Sequence, residues 1–280
     1  MDRLVAVYGT GLVDPDTPIV CADDQGLLRG DGAFEAWLLT GGRPVLLDAH
    51  LDRLYRSAAS LALPVPERAA LLALTRDAAG AWPRDVDAVQ RLVCTRGRAD
   101  ADRPTVFTLI EPVPAWTSTN RRAGVRLATG TVGFPVGGRR DAPWLLGGVK
   151  SLSYAVNMAS HRWGERLGGQ DMLWVSADGY ALESPSFNLV WHTGSTLCTV
   201  PAWTGIVVGT TATALLAKAP ALGLAAQEAL VTPAELATAD GVWLTGSLSG
   251  ILAVTELDGR PLNRSPLLDR ARTAIGYPGG

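Results

Sequence analysis

The chain has 280 residues, 47% of them apolar and 19% charged, which excludes a disordered chain and suffices for one large domain or two ordinary ones. Its 25 basic and 27 acidic residues are well mixed and sum to −2, so no long-range field recruits nucleic acid or an anionic membrane; a small-molecule partner fits better. The three cysteines, Cys21, Cys94 and Cys198, are too scattered for a disulfide framework or a zinc pattern and read as buried thiols. Met1 to Asp16 has no basic head ahead of an apolar run, and no later stretch has membrane-spanning length, so the cytoplasm is the expected location.

In chain order, Leu4 to Tyr8, Ala33 to Leu39 and Pro44 to Leu47 carry strand signals, with Thr40-Gly41-Gly42 as a turn. A helix follows in which Leu51, Leu54, Tyr55, Ala58 and Ala62 share one face, with Asp48 placed to cap it and Pro64 and Pro66 to stop it. A second helix is expected from Glu67 to Ala79, then strands at Val89 to Thr95 and Thr105 to Ile110. Residues 1–111 thus form an α+β domain. Residues 112–124, with Pro112, Pro114, Thr117, Ser118, Thr119 and Asn120, have the composition of an interdomain linker. Residues 125–280 form the second, larger and strand-rich domain. It opens with a strand at Val125 to Thr131, a Gly/Pro-rich loop from Phe134 to Gly148 and a helix from Leu152 to Leu167. Hairpin turns are expected at Asp178-Gly179, Thr193-Gly194 and Asp258-Gly259, and a further helix near Thr211 to Ala219.

Several familiar motifs fail on inspection. Gly9-Thr10-Gly11 has Asp14 where a dinucleotide fingerprint needs glycine, and Gly246 to Gly250 has Leu248 where a nucleophile elbow needs serine. His50, His161 and His192 have no metal-ligand spacing, so no metal is expected. Only two lysines occur, Lys150 and Lys218. Lys150, directly after a Gly-Gly loop, invites a chemical explanation, whereas Lys218 reads as a helix-surface residue.

Four segments stand in a telling order: His50-Leu51-Asp52-Arg53-Leu54, Val149-Lys150-Ser151-Leu152-Ser153-Tyr154, Glu183-Ser184-Pro185-Ser186-Phe187-Asn188-Leu189 and Gly205-Ile206-Val207-Val208-Gly209-Thr210-Thr211. Together they resemble the class IV aminotransferases, the fold-type IV pyridoxal-phosphate enzymes. Arg29 to Glu35 is similar to that family's N-terminal signature and Trp243-Leu244-Thr245-Gly246-Ser247 to its closing phosphate motif. The resemblance spans about Asp23 to Arg260 and implies two α+β domains with pyridoxal 5'-phosphate in the cleft between them, in a homodimer.

By this resemblance Lys150 carries the cofactor as a Schiff base and then moves protons, and Glu183 keeps the ring nitrogen protonated so that the ring is an electron sink. Arg53, the backbone at Val208, Gly209, Thr210 and Thr211, and Gly246 and Ser247 hold the phosphate, and Asn188 belongs to the cofactor site. Bland alternatives stay open: Arg53 on a solvated helix face, Glu183 at a strand end in solvent, Thr210 and Thr211 as simple helix caps. Arg96 and Arg98, in Cys94-Thr95-Arg96-Gly97-Arg98, are candidate contacts for the carboxylates of an amino substrate. No histidine follows this turn, unlike the D-alanine transaminase pattern. Ala212, Leu248 and Pro185 also depart from common family residues. Among members the resemblance is strongest to aminodeoxychorismate lyases, which implies release of 4-aminobenzoate and pyruvate from 4-amino-4-deoxychorismate. The alternative is a transaminase for branched-chain or D-amino acids or amines.

Overall fold

A computed structural model describes residues 2–101 and 103–277. The chain divides into two units, Met1–Pro114 with Val149–Tyr154, and Ala115–Gly148 with Ala155–Gly280. The expected linker, residues 112–124, is largely helical. The segment around Lys150 returns to the first unit, although the sequence reading assigned it to the second.

The first unit comprises β1 (Leu4–Val7), β2 (Gly11–Val13), α1 (Gln25–Arg29), β3 (Gly32–Thr40), β4 (Arg43–Pro44), α2 (Leu47–Ser60), α3 (Arg68–Ala81), β5 (Ala88–Thr95) and β6 (Thr105–Pro112). Its strands form one sheet in the order β2-β1-β6-β5-β3-β4. The sheet buries Leu4, Ala33, Trp37, Leu39, Leu92 and Ile110 against Leu51, Leu54 and Ala58 of α2 and Leu71 and Ala78 of α3. The β3–β4 hairpin turns on Gly41 and Gly42, both at positive φ (56° and 72°), which suits the twist of a two-residue connection. Asp48 does not cap α2. The helix starts one residue earlier, after Leu46 at φ 55°, and Asp48 sits in its first turn, where it meets Arg68 at 2.8 Å.

The second unit comprises α4 (Ala115–Ala123), β7 (Val125–Thr131), α5 (Ala155–Arg166), β8 (Asp171–Val175), β9 (Glu183–Ser184), β10 (Phe187–Thr193), β11 (Thr196–Thr199), α6 (Thr210–Ala217), β12 (Ala225–Glu228), α7 (Pro233–Leu236), β13 (Gly241–Gly246), β14 (Gly250–Leu257), β15 (Arg260–Pro261) and α8 (Leu268–Ala274). Its main sheet runs β12-β11-β10-β13-β14-β7-β8, with β9 on β10 and β15 on β14. One core cluster gathers Val125, Leu127, Leu173, Trp191, Leu244 and Leu252; another gathers Val190, Trp243 and Ile251 with Ala212 and Leu215 of α6. Among the described residues no helix is long and apolar enough to cross a membrane.

Candidate functional site

In the first unit the polar residues stand on core faces. The buried stripe of α2 is Leu47, His50, Leu51, Arg53, Leu54, Ser57 and Ala58, so helical periodicity carries two basic side chains inward with the leucines. Alternation along β3 turns Glu35 to the same side as Ala33, Trp37 and Leu39. Glu35 and His50 are fully buried and Arg53 is 6% exposed. Arg53 donates Nε to Glu35 Oε1 and Nη2 to Oε2, both at 2.7 Å, a forked pairing that suits a guanidinium. His50 Nδ1 lies 2.6 Å from Glu35 Oε2.

Burial alone would push the Glu35 carboxyl up, yet Arg53 and His50 bring it down to about 2. Burial pushes the His50 pKa down, against the pull of Glu35. At neutral pH the cluster is therefore carboxylate, guanidinium and neutral imidazole, with His50 Nδ1–H donating to Glu35. The solvated-face alternative for Arg53 is excluded by its burial.

Lys150 lies beside β3. Residues 150–152 run along that strand: Phe34 N–H donates to the Lys150 carbonyl at 3.2 Å, and Leu152 N–H to the Gly32 carbonyl at 2.8 Å. The Lys150 N–H donates to the Ser57 hydroxyl at 3.1 Å. Its Nζ sits 4.3 Å from the Phe34 ring centre and 5.4 Å from that of Tyr154, the two rings meeting edge to face at 5.3 Å. The amine is thus held on aromatic faces by a fixed backbone.

The arginines of the β5–β6 connection do other work. Arg96 spends four N–H groups inside its own unit: Nε and Nη2 on the Asp31 carboxylate (2.6 and 3.1 Å), Nη1 on the Ala62 carbonyl (3.0 Å) and Nη2 on the Leu61 carbonyl (2.8 Å). That makes it a staple of its own unit, where the sequence reading placed it at a substrate carboxylate. Arg98 pairs with Asp23 at 2.8 Å and Asp100 at 3.4 Å, all exposed.

In the second unit Glu183 is buried and faces Asn188 across the β9–β10 pair. Its carboxylate accepts the Val207 N–H at 3.2 and 3.3 Å and the Asn188 amide at 3.3 Å, while that amide also donates to the Val207 carbonyl at 2.6 Å. A solvent-exposed strand end is therefore excluded. Arg139, beside Glu183 in a small cavity with Trp174, Phe134 and Thr204, donates to the Gly205 carbonyl at 3.3 Å. Its guanidinium lies 4.8 Å from the Phe134 ring centre. Burial pushes its pKa down and the Glu183 charge opposes this.

Gly209 starts α6, and a Cβ there would lie 1.9 Å from Asn188 Oδ1, so only glycine lets the helix begin this close. The first N–H groups of the helix, at Thr210, Thr211 and Ala212, have no acceptor within it. The Thr211 hydroxyl is buried and makes no hydrogen bond of ordinary geometry, though it lies near enough to the Tyr277 phenol to lower that group's pKa against the rise from burial. Tyr277 also donates to the Ser247 carbonyl at 2.8 Å, and Arg121 donates to the Leu248 and Ser249 carbonyls at 3.1 and 3.2 Å. The β13–β14 turn is thus held beside the start of α6. An orphaned buried hydroxyl at a helix N-terminus and a glycine cradle are what a bound phosphate requires, and Glu183 is what a protonated ring nitrogen requires.

The amino-transferase class IV sequence family matches residues 32–257, and the chain belongs to it. Among its relatives, a bifunctional aminodeoxychorismate lyase / D-amino acid transaminase of Mycobacterium tuberculosis is 38% identical over 275 residues, 95% of each chain. A hypothetical aminotransferase from the same organism, in its PLP-bound form, superposes with a TM-score of 0.94 at 36% identity, covering 98% of this chain and 97% of that one. The 4-amino-4-deoxychorismate lyase of Pseudomonas aeruginosa superposes at 0.78 with 27% identity, covering 97% and 98%. The protein is a fold-type IV enzyme and its cofactor is pyridoxal 5'-phosphate.

Sequence reasoning passed over Glu35 and His50, although both stand inside segments it singled out, and it gave no role to Arg139, Ser57 or Tyr277. Glu35 had one available signal, a carboxylate on the buried parity of an apolar strand. For Arg53, exchange to lysine is the informative change, since it keeps the charge but loses the fork. Arg53→Lys is expected to weaken cofactor retention about tenfold, the worth of one charge-assisted hydrogen bond, measured by dilution of the holoenzyme. Unchanged retention would remove Arg53 from the phosphate contacts.

Proposed function

We propose that the protein is a 4-amino-4-deoxychorismate lyase, releasing 4-aminobenzoate and pyruvate. The observation that carries this reading is the likeness, over 95% of both chains, to the mycobacterial protein named for that lyase activity. The same name supports a second reading, amino-group transfer from D-amino acids; transfer from branched-chain amino acids or amines stands beside it.

When bound, the cofactor supplies a ring that draws off the electron pair left as the nitrogen-bearing substrate carbon loses its proton. Lys150 is the residue that would hold the cofactor covalently, and its Nζ would take that proton. Glu183, oriented by the Val207 N–H and Asn188, keeps the ring nitrogen protonated. The phosphate falls to the backbone at Val208, Gly209, Thr210 and Thr211, to the Thr211 hydroxyl, to Gly246 and Ser247, and to Arg53. Arg98 is the group for a substrate carboxylate, because its exposed pairs with Asp23 and Asp100 are worth little and exchange readily. In the lyase the bond from the ring carbon to the enolpyruvyl oxygen then breaks, and the carbocycle becomes aromatic. The enolpyruvate leaves with that oxygen and becomes pyruvate by taking up a proton on its methylene carbon, matching the one lost from the nitrogen-bearing carbon. A homodimer belongs to this reading; exposed Val156 and Trp163, seven residues apart on one face of α5, offer apolar side chains for it, and a monomer by light scattering would exclude it.

The test is turnover on aminodeoxychorismate alone. A lyase restores its starting state each cycle and is expected to release many equivalents of pyruvate and 4-aminobenzoate per enzyme. A transaminase stalls after one amine transfer until a keto acid arrives. Stoichiometric or no pyruvate, with sustained transfer from a D- or branched-chain amino acid to 2-oxoglutarate, would decide for the transaminase.

A further inference from the structure

Behind Glu183 stands a polar cluster with no part in the chemistry above. β9 and β10 pair through Ser184 with Phe187 and Glu183 with Asn188, which leaves Pro185 and Ser186 as a two-residue turn. Two-residue hairpins favour turns with positive φ at their first central residue, because those match the twist of the strands. Proline cannot adopt that φ, and neither Pro185 nor Ser186 has positive φ. The hairpin that carries Glu183 therefore closes on neither of the favoured turns.

Side chains from two neighbouring elements hold it instead. The Ser184 hydroxyl donates to buried Asp171 Oδ2 at the start of β8. Asn157 of α5 donates Nδ2 to the Pro185 carbonyl at 2.5 Å. His161, one turn further along α5, places Nε2 at 3.0 Å from the Ser186 hydroxyl and Nδ1 at 2.8 Å from Asp171 Oδ1. His161 is thus the one side chain among these that joins both ends of the turn, through Asp171 to Ser184 and directly to Ser186.

We propose that His161 is a positioning residue for Glu183: by joining Ser186 to Asp171 it fixes the β9–β10 turn and so sets the Glu183 carboxylate against Asn188 and the Val207 N–H. The proposal rests on Glu183 being the partner of the ring nitrogen. Asp171 fixes the proton on His161 Nδ1. Nε2 then accepts from the Ser186 hydroxyl when the ring is neutral and donates to it when the ring is charged, since a hydroxyl can do either. The anchor therefore survives titration of His161, whose pKa is raised first by the Asp171 hydrogen bond, against partial burial, and further by Glu165 on the same helix.

The experiment compares His161→Ala, Ser186→Ala, Glu183→Gln and the His161→Ala/Glu183→Gln double variant as holoenzymes. The readouts are the pH midpoint of the visible cofactor band, cofactor retention on dilution, and kcat and KM separately. Glu183→Gln is expected to move the spectral midpoint and remove most turnover. His161→Ala should move the midpoint in the same direction and lower kcat about tenfold, the worth of one lost hydrogen bond, with KM little changed. Added imidazole should restore part of both. Ser186→Ala cuts a single link and should show a smaller shift of the same sign, which keeps the test open should His161→Ala fold poorly. In the double variant the histidine change should add nothing to the glutamine change. An unmoved midpoint in both His161→Ala and Ser186→Ala while Glu183→Gln moves it, or additive shifts in the double variant, would overturn the proposal alone. An unmoved midpoint in Glu183→Gln would overturn the role of Glu183 and this proposal with it.

Discussion

Lys150→Ala protein is expected to fold, to bind pyridoxal phosphate only by reversible contacts, and to retain no cofactor after borohydride treatment, whereas the unaltered protein should retain one covalently. The physical case is local. Residues 150–152 are fixed to β3 by backbone hydrogen bonds that alanine keeps, so the change removes an amine without removing its support. The lost contact with Phe34 costs about 0.5–1 kcal/mol, a small part of the stability of a chain this size. Turnover, in contrast, should fall by roughly 10²–10⁴-fold from the loss of a positioned proton carrier alone. Lys218 provides the control. It is exposed at the C-terminal end of α6. Peptide mapping that placed the reduced cofactor on Lys218 would sink the assignment, as would wild-type turnover in the variant.

What the sequence disclosed followed from how local each cause is. The strand at Val125–Thr131 and the turns at Gly41-Gly42 and Asp258-Gly259 were legible because periodicity and positive-φ residues act over a few positions. Helix α4 was not legible. Pro112 and Pro114 and the run Thr117-Ser118-Thr119-Asn120 read as linker, and of its nine residues only Thr117 is buried, so hardly any apolar stripe announces it. The return of Val149–Tyr154 to the first unit could not be read either, since its partners Gly32, Phe34 and Ser57 lie about a hundred residues earlier. At the candidate site, family order singled out Lys150, Glu183 and the start of α6. It could not show that Arg96 is consumed by Asp31 and two carbonyls, because those acceptors come from α1 and α2 boundaries distant in sequence.

The second large effect is expected at Glu35. Removing its charge leaves Arg53 buried without its carboxylate, and breaking such a pair costs roughly 3–5 kcal/mol. The pH dependence gives this a signature that a mere packing defect lacks. Glu35 titrates near 2 in the folded chain against an ordinary value of 4.5, so its contribution is fully present above about 4.5 and disappears as pH falls toward 2. That contribution is on the order of 3 kcal/mol at neutral pH. His50 acts in the same sense: its folded pKa is lowered below the ordinary 6.5, so stability declines as pH falls below that value and the buried imidazole is forced to charge. Glu35→Gln should therefore lower the urea midpoint markedly at pH 7 and progressively less toward pH 3, where the unaltered protein has lost most of the same stabilisation. Because the guanidinium of Arg53 would no longer be pinned by its fork, cofactor retention should fall alongside stability. Parallel stability curves for the two proteins between pH 7 and pH 3 would show that the Glu35 charge does not sustain the cluster, and that Arg53 is held in place by packing alone.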